Sequence, residues 1–173
     1  MREVRPDEYA TAGEVTALAY VEFADSASPE WAEYLARIAD IAGRATRTTV
    51  LVAVAGNRVL GSATLELTDR IEATGTKPVA PDEVHLRMLG VHPDQRRRGI
   101  GRLLVNASID VARANGRRRL TLETTGRMRA AQALYQSMGF RWLGAREVAP
   151  GLSFQDYEMR LDTMAASPVS PAH

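Results

Sequence analysis

The sequence predicts a single α/β domain with a mixed, mostly antiparallel central sheet flanked by helices. Segments rich in β-branched residues alternate with segments of helical periodicity along most of the chain. A Gly56-Asn57 turn joins two strand-like segments as a hairpin. One helical segment separates two strand-like segments, which predicts a right-handed crossover between parallel strands. With 173 residues, the chain is long enough to bury one full hydrophobic core.

The first third of the chain is predicted to be helical after a short strand at residues 2–5. Pro6 starts a helix with Asp7 as a possible N-cap, and the helical composition runs from Glu8 to about Ala24. Ser28-Pro29 starts a second amphipathic helix, which Gly43 is expected to end.

The rest of the chain alternates between strands and helices. The hairpin pairs Thr49–Ala55 with Arg58–Leu67, residues 68–82 form a loop, and a further strand follows at Glu83–Val91. The remaining predicted elements are a helix at Ile100–Ala114, a strand at Arg119–Thr124, a helix at Arg127–Met138, and an antiparallel strand pair at Phe140–Val148 and Leu152–Leu161. We therefore assign residues 1–161 to one domain and expect the Ala/Ser/Pro-rich tail, residues 162–173, to be disordered.

Composition argues against several classes of function. A net charge of +1 gives no general electrostatic attraction to nucleic acid. No apolar run approaches the roughly 18 residues of a membrane helix, and the N-terminus lacks the apolar core of a signal peptide, so we expect a cytoplasmic protein with no membrane partner. The chain has no cysteine, and its three histidines are too scattered to predict a metal site.

The strand Glu83–Val91 contains a break in its alternation. Val84, Leu86 and Met88 are the apolar positions at first, but Leu89 and Val91 are the apolar ones afterwards. A slip of one residue in a period-two pattern is typical of a β-bulge, which leaves backbone groups unpaired. Those groups could bind an extended ligand that carries amides.

Three arginines, Arg96 to Arg98, stand directly before Gly99-Ile100-Gly101 at the start of a predicted helix. Glycine allows close approach to the backbone, a helix start favours anions, and arginine supplies forked donors for phosphate. The stretch therefore predicts a pyrophosphate site, with a solvated basic turn as the alternative. It lacks the third glycine of dinucleotide-binding turns, because Leu104 occupies that position.

Two motifs carry a family resemblance. "LGVHPDQRRRGIGRLLV" resembles the acyl-CoA-binding motif of the GNAT superfamily of N-acetyltransferases, and "AAQALYQSMGF" resembles that family's Ala-x-x-Leu-Tyr-x-x-x-Gly-Phe signature. The resemblance implies the GNAT (acyl-CoA N-acyltransferase) fold, with a V-shaped splay between the two central parallel strands. It also implies transfer of an acetyl group from acetyl-CoA to a primary amine by direct attack, without a metal.

The resemblance assigns cofactor roles. The bulged strand would bind the pantetheine arm through its backbone, the turn and helix start would bind the diphosphate, and Met128 stands where many relatives carry asparagine. The implied cofactor-binding residues are Leu89, Gly90, Val91, Arg96, Arg97, Arg98, Gly99, Ile100, Gly101, Arg102, Met128 and Tyr135.

The resemblance also assigns catalytic roles. Tyr135 occupies the position of the acid that protonates the departing thiolate, although it could simply be a half-buried aromatic residue. His85 stands where many relatives place a glutamate base; it is either the base or a polar residue on the solvated side of the strand. Glu83 and Glu123 are the substitute candidates for the base.

The sequence is compatible with several classes of acceptor amine. A small-molecule amine, a peptide N-terminus and a lysine side chain are all compatible with the sequence, and Trp31 and Tyr34 could line the acceptor site. Acidic residues in the loop at 68–82 could attract a cationic amine. The alternatives are a non-catalytic acyl-CoA-binding regulatory module and a nucleic-acid-binding domain. An edge-strand homodimer is compatible with the predicted sheet.

Overall fold

The computed structural model describes residues 1–23, 29–72, 75–149 and 152–161. It contains five α-helices and nine β-strands within those residues. The helices are α1 Tyr9–Tyr20, α2 Pro29–Ala39, α3 Ile41–Ala45, α4 Ile100–Ala114 and α5 Arg129–Ser137. The strands are β1 Arg2–Glu3, β2 Thr49–Ala55, β3 Arg58–Glu66, β4 Asp69–Glu72, β5 Gly75–Pro78, β6 Glu83–Val91, β7 Arg119–Thr125, β8 Arg141–Ala149 and β9 Leu152–Arg160. The predicted disordered tail lies outside the described residues.

Seven strands form the main sheet in the order β1-β2-β3-β6-β7-β9-β8. All neighbours are antiparallel except β6 and β7, which are parallel and are connected through α4. The predicted mixed, mostly antiparallel sheet with one crossover is therefore confirmed. The Gly56-Asn57 hairpin is also present, and Gly56 has the positive φ of 58° that such a turn requires.

The two faces of the sheet bury different helices, because residues alternate between faces along each strand. Leu51 and Ala53 belong to a core that includes the buried residues of α4 and Tyr135 of α5. Val50 and Val52 belong to a second core, which includes residues of α1 and α3. The strands thus separate a side covered by α4 and α5 from a side covered by α1 and α3.

The bulge predicted in β6 is present. Between the pairs Thr64↔Arg87 and Ser62↔Gly90, β3 advances by two residues while β6 advances by three. Met88 takes up the additional residue with a φ of 51°, a left-handed conformation that is uncommon outside glycine.

The two central strands part at the bulge. The pairing of β6 with β7 runs from Glu83↔Arg119 to Leu86↔Leu122 and stops there. Both strands are described over their whole length. Residues 87–91 of β6 therefore face an opening instead of β7. This is the V-shaped splay that the family resemblance implies.

The prediction of a loop at residues 68–82 was wrong over much of its length. Residues 69–72 and 75–78 form a two-stranded antiparallel hairpin, β4–β5, outside the main sheet. The polar, Gly- and Pro-containing sequence has little of the apolar alternation by which strands are recognised.

Two details of the helical region also differ from the prediction. The expected single helix breaks at Asp40, whose carboxylate accepts a hydrogen bond from the Gly43 amide at 2.8 Å and so caps α3. A Cβ on Gly43 would lie 2.1 Å from that carboxylate, so Gly43 makes room for the cap and does not end the helix. At the first helix, Glu8, and not Asp7, accepts from a preceding amide, that of Arg5, at 3.0 Å.

Candidate active site

A cleft of about 1120 Å³ opens where β6 and β7 part, on the side of the sheet covered by α1 to α3. Its floor includes the sheet residues Glu66, His85, Arg87 and Thr121, which point away from the α4 core. Tyr20 and Tyr34 contribute from the helices. Trp31 packs edge-on against Tyr34, with ring centroids 5.2 Å apart.

His85 lies at the centre of a hydrogen-bonded chain across the two parallel strands. Its Nδ1 is 2.9 Å from the Thr121 hydroxyl, and that hydroxyl donates to Glu83 Oε1 at 2.5 Å. Because the Thr121 proton goes to the carboxylate, the Thr121 oxygen accepts from Nδ1–H of His85. The other ring nitrogen, Nε2, therefore carries the lone pair and faces Arg70 Nη2 at 3.2 Å.

The surroundings of His85 favour its neutral form. The residue is only 3% exposed, so it does not lie on a solvated face as one reading of the sequence had it. Burial, followed by the positive charges of Arg70, Arg87 and Arg146, holds its pKa well below the usual value of about 6.5. Near neutral pH the imidazole is a free base.

Two carboxylates near His85, those of Glu83 and Glu123, are held by arginines. Glu83 also pairs with Arg119 at 3.1 Å, which fixes the carboxylate that orients Thr121. Glu123 binds Arg146 and accepts from Arg70 Nη2 at 3.2 Å. Glu83 is thus connected to His85 through Thr121, and Glu123 is bound by two arginines.

Tyr135 approaches the cleft from the α5 side of the sheet. It is 5% exposed and packs against Phe140 and Tyr157, with ring centroids 5.6 and 6.0 Å away. No described residue forms a hydrogen bond with its hydroxyl, although Tyr135 lines the cleft. Burial raises the pKa of this phenol above its usual value of about 10, so it stays protonated at neutral pH.

The turn before α4 has an unusual backbone. Arg97 and Gly99 have positive φ angles of 59° and 78°, and Gly99 is the N-cap of α4, to which no side chain of the described residues forms a capping hydrogen bond. A Cβ at Gly101 would lie 3.2 Å from Leu134 Cδ2, so this glycine allows α4 and α5 to approach closely. The helix start is left with amide donors and the positive end of the helix dipole.

The arginines of this turn differ in their surroundings. Arg96 binds Glu22 at 2.6 Å and the Ala19 carbonyl at 3.1 Å, so it ties the turn to α1. Arg102 donates to Ser137 of α5 at 2.7 Å. Arg97 and Arg98 are exposed beside the helix start.

The bulged strand is held against α1. A Cβ at Gly90 would lie 3.1 Å from Ala19 Cβ, and the Tyr20 hydroxyl donates to the Leu89 carbonyl at 3.3 Å. Met128, at the N-cap of α5, accepts a hydrogen bond from Thr124 through its sulfur at 3.4 Å and lines the same cleft.

The structure adds residues that sequence reasoning missed. Arg70 lies on the unpredicted β4–β5 hairpin, and Arg44 belongs to the short helix α3. The sequence pattern could have identified Thr121, because this residue alternates with Leu120 and Leu122 and so shares a face with Glu123. For Arg44 and Arg70 no sequence pattern indicates that either one reaches the sheet.

The described residues contain neither a membrane-spanning helix nor a cluster of metal ligands. They hold no helix with both the length and the apolarity needed to cross a membrane. Nor do they place three or more histidine, aspartate or glutamate side chains where these could bind a metal ion together.

A sheet that opens between its two parallel strands, with the start of a helix at the opening, defines a class of acetyltransferase fold. Comparison with known proteins agrees. The profile of the Acetyltransferase (GNAT) family matches residues 14–140, and the chain belongs to this family.

Curated relatives match over shorter segments. The [Ribosomal protein bS18]-alanine N-acetyltransferase of Salmonella typhimurium is 42% identical over 72 residues, which are 42% of this chain and 49% of that protein. The mycothiol acetyltransferase of Beutenbergia cavernae is 43% identical over 53 residues, which are 31% of this chain and 18% of that protein. The matches thus span half or less of the length of these relatives.

Solved structures match over nearly the whole chain. The ribosomal-protein-S18-alanine N-acetyltransferase of Escherichia coli has a TM-score of 0.67 at 20% identity, with 96% of each chain covered. The yncA protein of Salmonella typhimurium, solved with its cofactor acetyl-CoA, has a TM-score of 0.67 at 21% identity, with 97% and 96% covered. At such identities the likeness shows the fold.

Proposed function

We propose that the protein is an N-acetyltransferase that transfers the acetyl group of acetyl-CoA to a primary amine by direct attack in a ternary complex. One observation carries the proposal: the opening between β6 and β7 brings a neutral, buried imidazole and a protonated, buried phenol to one cleft. Family membership supports the choice of acetyl-CoA as the donor.

The cofactor fits the backbone of the opening. Residues 87–91 have no β7 partner and would bind the amides of the pantetheine arm as an added strand would. The α4 start would take the diphosphate on its amides, since Gly99 places no side chain over them. Arg97, Arg98 and Arg102 would add charge, whereas Arg96 would act through the position of the turn, because Glu22 already binds it.

The amine requires a base, and His85 is the residue we propose. Its Nε2 lone pair faces the cleft, and Thr121 and Glu83 hold the ring through Nδ1–H. Nitrogen attacks the thioester carbon and the amine proton goes to Nε2, directly or through water. Arg70 must first give up its contact with Nε2, so its side chain has to move when the acceptor binds.

The departing sulfur requires a proton, and Tyr135 is the residue we propose to supply it. The carbon–sulfur bond breaks as the new carbon–nitrogen bond forms, and the phenol protonates the thiolate. Its raised pKa keeps the proton available across the neutral range. His85 gains the proton that the amine loses, and Tyr135 loses the proton that the thiolate gains. Proton exchange with solvent then returns both side chains to their starting states.

The test is turnover. Purified protein is incubated with acetyl-CoA and a panel of amines, including free amino acids, amino acid amides, polyamines and peptides with free N-termini. Release of CoA together with a 42-dalton mass gain on one amine supports the proposal. Binding of acetyl-CoA by calorimetry without transfer to any amine would instead favour the non-catalytic module.

A further inference from the structure

One side chain in the cleft has a hydrogen-bond donor that the fold does not use. Arg44 of α3 is 6% exposed and lines the cleft. Its Nε donates to the Thr64 hydroxyl at 3.1 Å, and its Nη1 donates to the carbonyls of Arg37 and Asp40 at 3.1 and 2.8 Å. Its Nη2 is buried and donates to none of the described residues. A buried guanidinium donor without an acceptor is costly, which indicates a missing partner.

The charge around Arg44 makes that partner an anion. Burial and then the neighbouring Arg87 guanidinium lower the pKa of Arg44 to about 10, so it remains a cation at neutral pH in a site that is short of negative charge. An anionic acceptor group would satisfy Nη2 and relieve the repulsion between the two guanidiniums.

The carboxylates of the cleft are already engaged. Glu66 binds Arg87, Glu83 binds Arg119, and Glu123 binds Arg70 and Arg146. Asp156 binds Arg146, and Asp40 caps α3. With its carboxylates neutralised by arginines or by a helix cap, the described part of the cleft is poorly suited to a polycationic acceptor.

The spacing between Arg44 and His85 suits a short molecule. The Thr64 side chain that holds Arg44 pairs with Arg87, and Glu66 pairs with His85, so the two sites lie two residues apart on one face of the β3–β6 ladder. Two residues along a strand span about 7 Å. Because the strand positions that hold Arg44 and His85 are this close, we expect an acceptor whose amine and anionic group are only a few bonds apart.

We propose that the acceptor is a small amino-carboxylate, such as a free amino acid, whose carboxylate binds Arg44 while its amine faces His85. The inference rests on the proposed acetyltransfer and assigns its substrate class. Arg44 is then a specificity-determining residue. This class differs from the cationic amine that the acidic sequence at 68–82 suggested.

The test compares each L-amino acid with its own amide as acceptor at saturating acetyl-CoA. The pair shares the side chain and the amine and differs in the carboxylate. Removing that negative charge lowers the pKa of the amide's amine, so a preference for the acid cannot come from a more neutral amine. The expected kcat/KM is roughly 10- to 100-fold higher for the acid, as a charge-assisted hydrogen bond would produce.

Two variants assign that preference to Arg44. Arg44→Lys keeps the charge but loses the forked donors, and we expect the acid-to-amide ratio of kcat/KM to fall most of the way to one. Arg58→Lys, at an exposed arginine that starts β3 and does not line the cleft, should keep the ratio of the parent protein. The ratio does not depend on the active fraction, so partial misfolding of a variant leaves the result readable.

Three results would overturn the inference: equal or better use of amides, polyamines or peptides; no use of any amino acid despite acetyl-CoA binding; or an unchanged ratio in Arg44→Lys. Transfer to amides or peptides would leave the acetyltransferase proposal intact. Absence of acetyl-CoA binding would refute that proposal itself, so the two failures are distinguishable.

Discussion

His85 and Tyr135 owe their proposed roles to burial, which acts on them in opposite senses. Removal from water disfavours the charged form of each group, so the imidazole loses its proton more readily and the phenol keeps its proton more firmly. Burial thus sets the protonation states that a base and an acid require within the same cleft.

Substitution of Tyr135 by Phe should lower kcat by roughly 10²- to 10⁴-fold, the usual contribution of a positioned acid. Affinity for acetyl-CoA by calorimetry should change little, because the variant keeps the ring that packs on Phe140 and Tyr157. Tyr157→Phe is the matched control, since it removes a neighbouring hydroxyl from an equally buried ring and should retain most of the rate. Full turnover in Tyr135→Phe would remove this residue from the mechanism.

The pH dependence of kcat/KM should reflect His85. Because its pKa in the folded protein is depressed, the imidazole stays neutral as the pH falls through 6.5, and the acidic limb should lie below that pH. His85→Gln, which keeps a polar group beside Thr121, should lower the rate and remove this limb. A limb of the same position and size in the variant would point to another base.

The depressed pKa of His85 also makes the free energy of unfolding depend on pH. The unfolded chain takes up a proton at His85 near pH 6.5 while the folded chain does not, so the free energy of unfolding falls as the pH drops below 6.5. In His85→Gln this component is absent. The urea midpoint should therefore fall less between pH 7.5 and pH 5 in the variant than in the parent protein.

Sequence reasoning reached some of these residues and not others. Simple alternation with Val84 and Leu86 predicts one shared face for Glu83 and His85, and the structure connects these two residues through Thr121. The partners that hold His85 and Glu123 from other elements, above all Arg70, depend on how a hairpin packs on a sheet. No local periodicity encodes such a contact.

At the scale of elements, α4 allows a prediction about its two ends. Gly99 precedes the helix and Gly116 follows it, both have positive φ, and an added Cβ would meet open space at each. Alanine at either position should therefore destabilise the fold by about 1–2 kcal/mol through backbone strain alone. Only Gly99→Ala should also weaken acetyl-CoA binding, because only this end presents amides to the diphosphate. Equal affinity in the two variants would contradict the proposed diphosphate site.

The elements that the sequence predicted well are those with an apolar face. The ends of β2, β6 and α4 agree with the structure, because their apolar positions repeat with a clear period. The β-bulge was visible for the same reason, as a slip in that period. The break between α2 and α3 was missed because a polar contact, the Asp40 cap, determines it. The β4–β5 hairpin was missed because its sequence lacks apolar alternation.

For the molecule as a whole, we expect acetyl-CoA to raise the melting temperature. A ligand at 100 times its dissociation constant adds about 2.7 kcal/mol to the free energy of unfolding. For a chain of this size each kcal/mol is worth roughly 2–4 °C. Duplex DNA at 150 mM salt should give no shift, because a net charge of +1 offers no general attraction to phosphates. A DNA-induced shift without one from acetyl-CoA would reverse the assignment.

The parting of β6 and β7 has a mechanical consequence. A ladder of four residue pairs, from Glu83↔Arg119 to Leu86↔Leu122, joins β1-β2-β3-β6 to β7-β9-β8. We expect a pantetheine arm laid between the two half-sheets, beyond that short seam, to act as the missing rung. We expect amide deuterium exchange at residues 87–91 to slow once the seam is bridged, so that cofactor supply also sets how long the chain survives proteolysis.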